Sequence, residues 1–437
     1  MTNCIQKTFE FPALKKRKVV ANFDGGSITS DGGGNFLRMA DRQLNLLSTM
    51  AKFFSDNRDQ SKVNHSVLEM LRQRVYGIAL GYEDLNDHKT LRKDIAFQAF
   101  VNSISDLASS PTLCRFENGA NRKIAIDITK QMVETFISSH KKTPKELVLD
   151  FDATDDLIHG NQEGGFYHGY YKNYCFLPLY VFCGKKLLVS YLRTSKKDGA
   201  RHTWAILSLL VKRFRQEWPD VKIIFRGDSG FCRHQMITWC EKKNVDYIIG
   251  VAQNKRLNSI LKPRMKEAEE KFEETKEKQR LFSDFLYAAG TWTQERRIIG
   301  KAEHTEKGSN PRYVVTNLAG NPQELYDKMY CARGDMENRI KEQQLGLFAG
   351  RTSCCGWWPN QLRLIFSSLA YIIMEHIRSV ALVGTELENA QMSTIRLKLF
   401  KIGAIVIKNT RRIKFLLSSF YPLQDLFALV CKKLVPI

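Results

Sequence analysis

Three carboxylates in this chain lie where they could bind metal ions. Asp152 ends an apolar run, and Asp228 follows a second run directly after Gly227, a residue type that permits a sharp turn. Glu337 lies much further along, in a segment with helical character. Magnesium takes hard oxygen ligands and keeps positions open for water and phosphate, so three carboxylates suit two such ions. Taken singly, the aspartates would cap turns and the glutamate would form a surface ion pair.

The first of these acids belongs to a run with an acidic end. Residues 147–152 alternate between apolar side chains and the set Val148, Asp150 and Asp152, which predicts a buried strand. A carboxylate on a buried strand is costly unless it is paired, hydrogen-bonded or bound to metal. Asp150 and Asp152 point the same way, so spacing alone does not choose between them. Asp155 and Asp156 fall beyond the strand and are interpreted as turn or cap residues.

Basic residues flank the glutamate at helical spacing. Arg333, Glu337 and Lys341 are four residues apart and therefore share one face of a helix. The two cations would keep Glu337 ionised and could also contact phosphates. Two metal ions about 3.5–4 Å apart activate an attacking oxygen and stabilise the leaving one during in-line displacement at phosphorus. The pattern therefore favours phosphoryl-transfer chemistry.

The elements that would position these acids follow a regular order. Between residues 147 and 251 the patterns read strand, strand, strand, helix, strand, helix, strand, which is the order of an RNase H-like α/β core. Residues 253–285 are highly charged and predict a helix, and residues 290–300 and 312–317 predict strands. We interpret this block as an insertion in the core and not as its continuation. Helical patterns resume near Pro322 and continue to the C-terminus.

The segment before the first strand is mostly helical. Residues 1–35 predict loops and include the basic cluster Lys15–Lys18, which is a phosphate-contacting arm, an import-like signal or a solvated run. A capping box at Ser66 and Glu69 begins a helix that ends near Gly81. A helical DNA-binding module and a plain helical bundle fit this pattern equally.

The charge balance favours a polyanionic partner. Lys and Arg exceed Asp and Glu by 67 − 46 = 21, which produces a strong positive field in a chain of 437 residues, although a merely basic protein shows the same balance. The ten cysteines form no Cys-x-x-Cys pair, so a zinc ribbon or redox motif is not expected. No signal peptide is recognised, and the apolar run 364–374 is too short to span a bilayer. We expect a cytoplasmic, nucleoid-associated protein with no membrane partner.

Several motifs carry a family resemblance. Tyr330, Arg333 and Glu337 form Tyr-x2-Arg-x3-Glu, Asp152 begins Asp-x-Thr, and residues 226–231 read Arg-Gly-Asp-Ser-Gly-Phe. With these motifs the chain resembles bacterial insertion-sequence transposases of the DDE type. The Asp-x-Thr match selects Asp152 over Asp150. Further matching stretches spread the resemblance over about residues 20–380, at 81–84, 115–118, 159–164 and 360–363.

The resemblance implies a fold, a cofactor and partners. It implies an RNase H-like catalytic domain interrupted before the glutamate, Mg²⁺ (two ions, with Mn²⁺ as a substitute), terminal inverted repeats and target DNA as substrates, and a synaptic homodimer. Related groups place a lysine seven residues after the glutamate, where this chain has Gln344. Lys341 lies on the same helical face and could take that role.

Some of the candidate DNA contacts are aromatic residues that could equally pack inside the protein. Trp292 could hold a flipped base, as in related transposases, or could pack in the core. Tyr167, Tyr170 and Tyr171 could stack on DNA or form a packed hairpin. The residues predicted to contact DNA are Tyr330, Arg333, Lys341, Arg226 and Trp292.

The sequence therefore predicts an α/β protein built on a mixed five-stranded RNase H-like sheet, with helical regions at both ends. Its predicted function is metal-dependent cleavage of element ends at Asp152, Asp228 and Glu337, followed by joining to target DNA. The alternatives are a nuclease without strand transfer and a domesticated DNA-binding protein. The predicted segments are a DNA-binding region (1–140), the first part of the core (145–252), the insertion (253–318), the second part with the glutamate helix (319–380) and a helical C-terminal region (381–437).

Overall fold

The structure is a computed structural model that describes residues 8–196 and 198–435. The chain forms two compact units. The first combines the residues up to 119 with those from 369 onward, and the second contains residues 120–368.

Seventeen strands are present in the described residues. They are β1 (Phe9–Leu14), β2 (Arg17–Ala21), β3 (Ile28–Thr29), β4 (Glu146–Ala153), β5 (Asp156–Leu157), β6 (Phe166–His168), β7 (Asn173–Phe176), β8 (Leu179–Cys183), β9 (Lys186–Tyr191), β10 (Lys222–Gly227), β11 (Asp246–Val251), β12 (Gln279–Tyr287), β13 (Arg296–Thr305), β14 (Gly308–Ser309), β15 (Arg312–Thr316), β16 (Ala404–Lys408) and β17 (Ile413–Leu417).

Fifteen α-helices are present in the same residues. They are α1 (Asn35–Leu44), α2 (Leu46–Ala51), α3 (Val67–Leu80), α4 (His88–Leu91), α5 (Ile95–Val101), α6 (Ser110–Asn118), α7 (Arg122–Ser138), α8 (Thr203–Glu217), α9 (His234–Lys242), α10 (Lys255–Thr275), α11 (Pro322–Glu324), α12 (Gly334–Lys341), α13 (Trp357–His376), α14 (Met392–Ile395) and α15 (Gln424–Leu434). Short 3₁₀ turns lie at Gln60–Lys62, Leu85–Asp87, Ser229–Phe231 and Cys331–Arg333, and π-helical turns lie at Leu325–Tyr330, Glu342–Gly346, Ile377–Ala381 and Arg396–Phe400.

A mixed sheet forms the centre of the second unit, which confirms the predicted α/β class. Its strand order is β12-β13-β15-β11-β10-β4-β8-β9, with β14 paired to β13. Strands β4, β10 and β11 are parallel neighbours, whereas β8 is antiparallel to β4 and β9 is antiparallel to β8. The carboxyl ends of parallel strands meet at one edge of a sheet. This arrangement brings Asp152 and Asp228 to the same edge.

The sheet is wider than the five strands that we predicted. Strand β15 pairs antiparallel with the outer edge of β11, β13 pairs with β15, and β12 pairs with β13. An unpaired edge exposes a row of backbone donors and acceptors, and pairing satisfies them. The segment that we interpreted as a separate insertion therefore continues the same sheet. Its charged helix α10 ends at Thr275, and residues 279–285 are strand, not helix.

Both faces of the central strands are buried. Leu147, Leu149 and Phe151 contribute to a large apolar core on one face. On the other face Ile224 and Ile248 form a smaller cluster, against which Tyr326 and Tyr330 pack. Strands covered on both faces leave no solvated side for a charged residue. Asp150 on β4 therefore lies inside the protein, with 2% of its surface exposed.

The first unit contains more strand than the sequence indicated. Residues 9–21, expected to be loop, form the hairpin β1–β2, and the C-terminal region contains the hairpin β16–β17, to which β3 adds a third strand. Alternating exposure along β16 shows the period of two that a helical interpretation overlooks. The predicted capping box of α3 is confirmed, as is its end at Gly81, whose φ is 98°.

Close backbone packing explains the glycine run 32–34 in the first unit. A side chain at Gly33 would lie 2.0 Å from the carbonyl oxygen of Leu399, so only glycine fits there.

One helical segment is long enough to span a membrane. Residues 357–381 form a continuous helical stretch of 25 residues, longer than the apolar run that we judged too short. In its most apolar window, 78% of the residues are buried within the protein, as in the core helix of a globular fold.

Candidate active site

The end of β4 presents two acids to one side of the sheet. Alternation places Asp150 and Asp152 opposite Leu149 and Phe151, as the sequence predicted. Asp150 is buried within the sheet. Asp152, one step nearer the strand end, keeps 14% of its side chain exposed. The strand therefore divides its acids into an inner one and an outer one.

The neighbouring strand β10 places a third acid beside them. Arg226 is the register partner of Asp150, and Gly227 is the register partner of Phe151. Asp228 follows directly after the strand end, and continuing the register of the two strands would set it opposite Asp152. Its Oδ1 atom accepts a hydrogen bond of 2.8 Å from the amide of Gly230, which turns the chain sharply away from the sheet.

The glutamate reaches the same edge on α12. Arg333 stands at the start of this helix, and its guanidinium contacts both acids: Nη1 lies 3.3 Å from Asp152 Oδ2, and Nη2 lies 2.6 Å from Glu337 Oε1. Glu337 keeps 43% of its side chain exposed. Arg333 therefore bridges the strand acid and the helix acid, which are 185 residues apart in sequence (337 − 152).

The acids influence one another electrostatically. Burial raises the pKa of Asp152 to about 7, the positive charge of Arg333 opposes that rise, and the negative charges of Asp228 and Glu337 add to it. Burial lowers the pKa of Arg333, but the negative charges of Asp152 and Glu337 outweigh that effect, so the pKa is raised overall. Asp152, Asp228 and Glu337 thus form one cluster of negative charge around one guanidinium.

The three carboxylates supply the oxygen ligands that a divalent cation prefers. In this structure, however, their oxygen atoms are not arranged around a common point. In residues 8–196 and 198–435, no group of three or more His, Cys, Asp or Glu side chains has an arrangement that could hold a metal ion. Arg333 stands between Asp152 and Glu337, and Asp228 is turned toward its own loop. Three oxygen donors of like charge at one edge are nevertheless the chemistry that a hard cation neutralises. The residues fit such an ion if Arg333 withdraws.

A buried ion pair lies directly beneath this cluster. Both carboxylate oxygens of Asp150 accept hydrogen bonds from Arg226, from Nε to Oδ1 and from Nη2 to Oδ2 at 2.7 Å. The remaining Nη1 of Arg226 donates to the carbonyl oxygen of Met329. We call these three residues the clasp. It joins β4, β10 and the segment that leads into α12, the three elements that carry the three acids.

Tyr330 lies beside the clasp, and its hydroxyl packs closely against Gly250 on β11. A side chain at Gly250 would lie 2.6 Å from the Tyr330 hydroxyl and 2.9 Å from the amide nitrogen of Ser229. The absence of a side chain on β11 thus lets the tyrosine lie between that strand and the loop of Asp228. Burial raises the pKa of Tyr330, Arg333 opposes the rise and Asp228 adds to it. Tyr330 is half-buried at the edge of the acidic cluster.

Related transposases have a lysine at the position of Gln344, and Lys341 could take its role. The two residues have different surroundings in the structure. Lys341 is exposed at the end of α12. Gln344 lies one turn later, and its Nε2 donates to Thr154 Oγ1 at 3.3 Å and to the carbonyl oxygen of Asp155 at 3.0 Å. Gln344 therefore fixes the helix to the segment that follows Asp152, whereas the exposed Lys341 is accessible to a ligand.

One predicted DNA contact, Arg226, is buried, and another, Trp292, packs against the core, which was one of the two alternatives for it. Arg226 is 7% exposed, and its guanidinium is engaged by Asp150 and Met329, unlike the surface position that a phosphate contact requires. Trp292 is half-buried, with its ring centroid 5.8 Å from that of Tyr287 and the guanidinium of Arg296 5.3 Å above it. Trp292 already has aromatic and cationic partners within the protein.

The sequence interpretation missed the clasp. The signal was available, since Arg226 stands two residues before Asp228, just as Asp150 stands two residues before Asp152. Equal offsets on adjacent parallel strands place the two side chains opposite each other. Recognising this requires knowing that β4 and β10 are neighbours, which one sequence does not reveal.

Comparison with known proteins gives a family-level match. A family model described as "Transposase DDE domain group 1" matches residues 11–437. No curated protein matches the chain. Among solved structures, the chain is similar to a cryo-EM structure of the piggyBac transposase synaptic complex with hairpin DNA, with 11% identity and a TM-score of 0.40 over 85% of this chain and 80% of that one.

Proposed function

The chain belongs to the family of transposase DDE domains, group 1, and from that membership we propose that it is a DNA transposase of an insertion sequence. It would bind the terminal inverted repeats of its element, cleave the element ends and join the freed 3′-OH ends to target DNA. We further assign β9-β8-β4-β10-β11 to an RNase H-like core. The support is that β4, β8, β9, α8, β10, α9 and β11 follow one another along the chain in the order that the sequence predicted.

The convergence of three acids from distant parts of the chain carries the proposal. Asp152 and Asp228 end adjacent parallel strands, and Glu337 reaches them through Arg333. Carboxylates that repel one another are unfavourable in a folded protein unless a cation offsets their charge. A single guanidinium, that of Arg333, faces these three carboxylates, so a bound cation would offset the negative charge that remains.

Members of this family typically use a divalent metal, and we propose two Mg²⁺ ions, with Mn²⁺ able to replace them. Asp152, Asp228 and Glu337 would be the ligands. Bound there, the ions would activate the attacking oxygen and stabilise the charge on the leaving oxygen. Arg333 would leave its place between the acids and contact a phosphate, for which its planar guanidinium is well suited.

The remaining residues would bind and orient DNA. Lys341 is exposed on the same helix face as Glu337 and would contact a backbone phosphate. Tyr330 would line the edge of the site, and Trp292 would contact DNA only by leaving its present partners. The net charge of +21 would supply general affinity for DNA, and that affinity would fall as salt rises. We also propose a homodimer that holds two element ends, in the cytoplasm at the nucleoid.

The domain roles follow from the same proposal. Residues 1–140 would recognise the inverted repeats, and residues 381–437 would support that region. The catalytic acids would lie in segments 145–252 and 319–380, and residues 253–318 would extend the sheet between them.

The central test is the variant Asp228→Asn. We expect it to abolish cleavage of a duplex that carries the element end while binding to that duplex persists, because the change removes a ligand charge at almost constant shape. The repeat sequence is read from the DNA that flanks the gene. Cleavage by the variant at the wild-type rate would refute the site. Cleavage by the wild type without joining of pre-cleaved ends would instead indicate a nuclease.

A further inference from the structure

A hairpin close to Asp152 exposes an unusual number of aromatic rings. We call residues 166–176, which contain β6 and β7, the tyrosine hairpin. The exposed fractions are 56% for Tyr167, 83% for Tyr170 and 62% for Tyr174, and Phe166 is also exposed. Large aromatic side chains normally contribute to stability by leaving water. Contiguous exposed aromatic surface therefore indicates a binding partner.

The rings are arranged so that their faces stay open. Tyr167 and Tyr174 meet edge to face, with centroids 5.7 Å apart and planes at 69°. Tyr170 and Tyr171 do the same at 5.0 Å and 89°. An edge-to-face pair uses the face of only one ring, so flat surface remains available for another planar group.

The base of the hairpin is firmly attached, although its tip is exposed. Gln162 donates to the carbonyl oxygen of Thr352 at 2.6 Å, and the amide of Trp357 donates to Glu163 Oε2 at 2.9 Å. Strand β7 also pairs with β5, four residues beyond Asp152. The hairpin is thus held by the catalytic unit itself, and its rings are presented at a fixed place.

The hairpin itself carries positive charge and no acidic residue. No acidic residue occurs between positions 166 and 176, and Glu163 just before them is engaged by the Trp357 amide. Lys172 lies exposed at the turn with a φ of 54°, and the ammonium group of Lys196 lies 5.2 Å from the ring centroid of Phe166. Cationic side chains among aromatic rings are the combination that binds single-stranded nucleic acid.

The hairpin also adjoins the acidic cluster. Phe176 at the end of β7 is the register partner of Asp156 on β5, and Asp156 lies four residues after Asp152 in the chain. A strand of DNA whose phosphate lies at Asp152 would bring its nearest nucleotides to this hairpin.

We propose that the tyrosine hairpin stacks on unpaired bases at the DNA end beside the cleaved bond. Base faces are hidden in a duplex and become available only where bases are unstacked or flipped out. Trp292 is less suited to this role because Tyr287 and Arg296 already cover it. The proposal rests on the proposed function, which it extends by naming the DNA structure that this surface holds.

The test compares two DNA ends and two sets of variants. The full-length protein is titrated, in Ca²⁺ to prevent cleavage, with a fully paired duplex of the element end and with one that carries unpaired nucleotides at the cleavage position, each labelled with 2-aminopurine there. Replacing Tyr167, Tyr170 and Tyr174 by Ala should weaken binding of the unpaired end by at least about tenfold and abolish the fluorescence change on binding. Binding of the paired duplex should change less than about twofold, since backbone contacts dominate there.

Matched variants show whether stacking by these rings is responsible for the binding. The corresponding Tyr→Phe variant keeps the rings and should bind like wild type. Trp204→Ala removes a ring that is 55% exposed on α8 in the same unit and should also bind both ends like wild type. Equal binding of the unpaired end by the Ala variant and wild type overturns the proposal, as does an equal loss for both ends. Loss of a dimer in light scattering also overturns it, because the surface would then join two copies.

Failure of this proposal is distinguishable from failure of the proposed function. Wild-type nicking in Mg²⁺ that is absent in Asp228→Asn, together with unaltered binding by the Ala variant, would retain the transposase and reject the stacking surface. Selective binding of the unpaired end without any nicking would support the surface and reject the catalytic role.

Discussion

Asp150 and Asp152 lie two residues apart on β4, and each is paired with an arginine from another element, but the two pairs differ. Asp150 and Arg226 form a closed pair, with side-chain exposures of 3% and 8% and two hydrogen bonds between them. Asp152 and Arg333 form a looser pair, with one contact of 3.3 Å and exposures of 14% and 17%. Arg333 also divides its charge between Asp152 and Glu337.

The closed pair, Asp150 and Arg226, would stabilise the fold, whereas the looser pair, Asp152 and Arg333, lies at the proposed reaction site. Each of the three side-chain nitrogens of Arg226 donates a hydrogen bond inside the protein, so the clasp keeps three elements in register. A guanidinium shared between two partly exposed carboxylates loses less when it leaves, because water and other ions can replace it. Strand alternation thus places the closed acid, Asp150, one step below Asp152, the acid that we propose to be reactive.

The largest expected effect comes from the outer acid. Asp152→Asn should lower the rate of DNA cleavage by about three orders of magnitude or more, since a lost metal ligand removes several kcal/mol of transition-state stabilisation. Its free energy of unfolding at neutral pH should not fall, because the raised pKa of Asp152 means that its buried charge already costs stability there. Cleavage assays and chemical denaturation measure the two quantities. A large fall in stability would mean that the outer pair also holds the fold.

The inner pair should show the opposite result. Arg226→Met leaves the Asp150 carboxylate buried without a partner, which should lower the free energy of unfolding by about 3–5 kcal/mol. Urea denaturation followed by circular dichroism measures this. The double variant Asp150→Leu with Arg226→Met should recover much of the loss, because no charge remains buried. The matched control is Arg333→Met, which should cost no more than about 1 kcal/mol. Equal losses for the two arginine variants would refute the distinction.

A third acid, Asp156, lies beyond the end of β4. Within the described residues it forms neither a closed nor a looser pair with an arginine. Asp156 is 3% exposed, and among the described residues neither carboxyl oxygen has a hydrogen-bond partner. Burial raises its pKa to about 7, the nearby Thr352 hydroxyl opposes the rise, and the charge of Asp155 adds to it. The folded protein therefore keeps a proton on Asp156 that the unfolded chain has lost above a pH of about 4.

The sign of the resulting pH dependence follows directly. Between about pH 4 and pH 7 the folded state binds more protons than the unfolded state, so stability falls as the pH rises and levels off above the folded pKa. Asp156→Asn should remove roughly 2–4 kcal/mol of this fall, as measured by denaturation midpoints across that range. Asp152 contributes a fall of the same sign, so the variant should keep a shallower slope. An unchanged slope would place Asp156 outside the buried interior.

Much of this arrangement could be predicted from side-chain patterns. Alternation along residues 147–152 indicated the strand and its acidic face, and helical spacing placed Arg333 beside Glu337. Choosing Asp152 over Asp150 required the family motif, because both acids face the same way. In the structure Asp150 forms a closed pair with Arg226, whereas Asp152 makes a single, longer contact with Arg333.

The pairing of the strands was harder to predict from the sequence. The opposition of Arg226 and Asp150 depends on the neighbours and register of β10, and a single sequence does not specify register. The addition of β15 to the edge of β11 was missed for the same reason. The hairpins at residues 9–21 and 404–417 are short, and brief apolar runs such as Ile405–Ile407 fit helix and strand alike.

The smallest expected effects distinguish Lys341 from Gln344. If the exposed lysine contacts a phosphate, Lys341→Ala should weaken DNA binding and reduce the slope of log affinity against log salt by about 1, with stability unchanged. Gln344→Ala should leave that slope unaltered and lower the free energy of unfolding by about 1 kcal/mol, because it removes two hydrogen bonds that tie the helix to Thr154 and Asp155. Salt titrations of binding together with denaturation separate the two. A reduced salt slope for Gln344→Ala would instead move the glutamine from the helix anchor to the DNA surface.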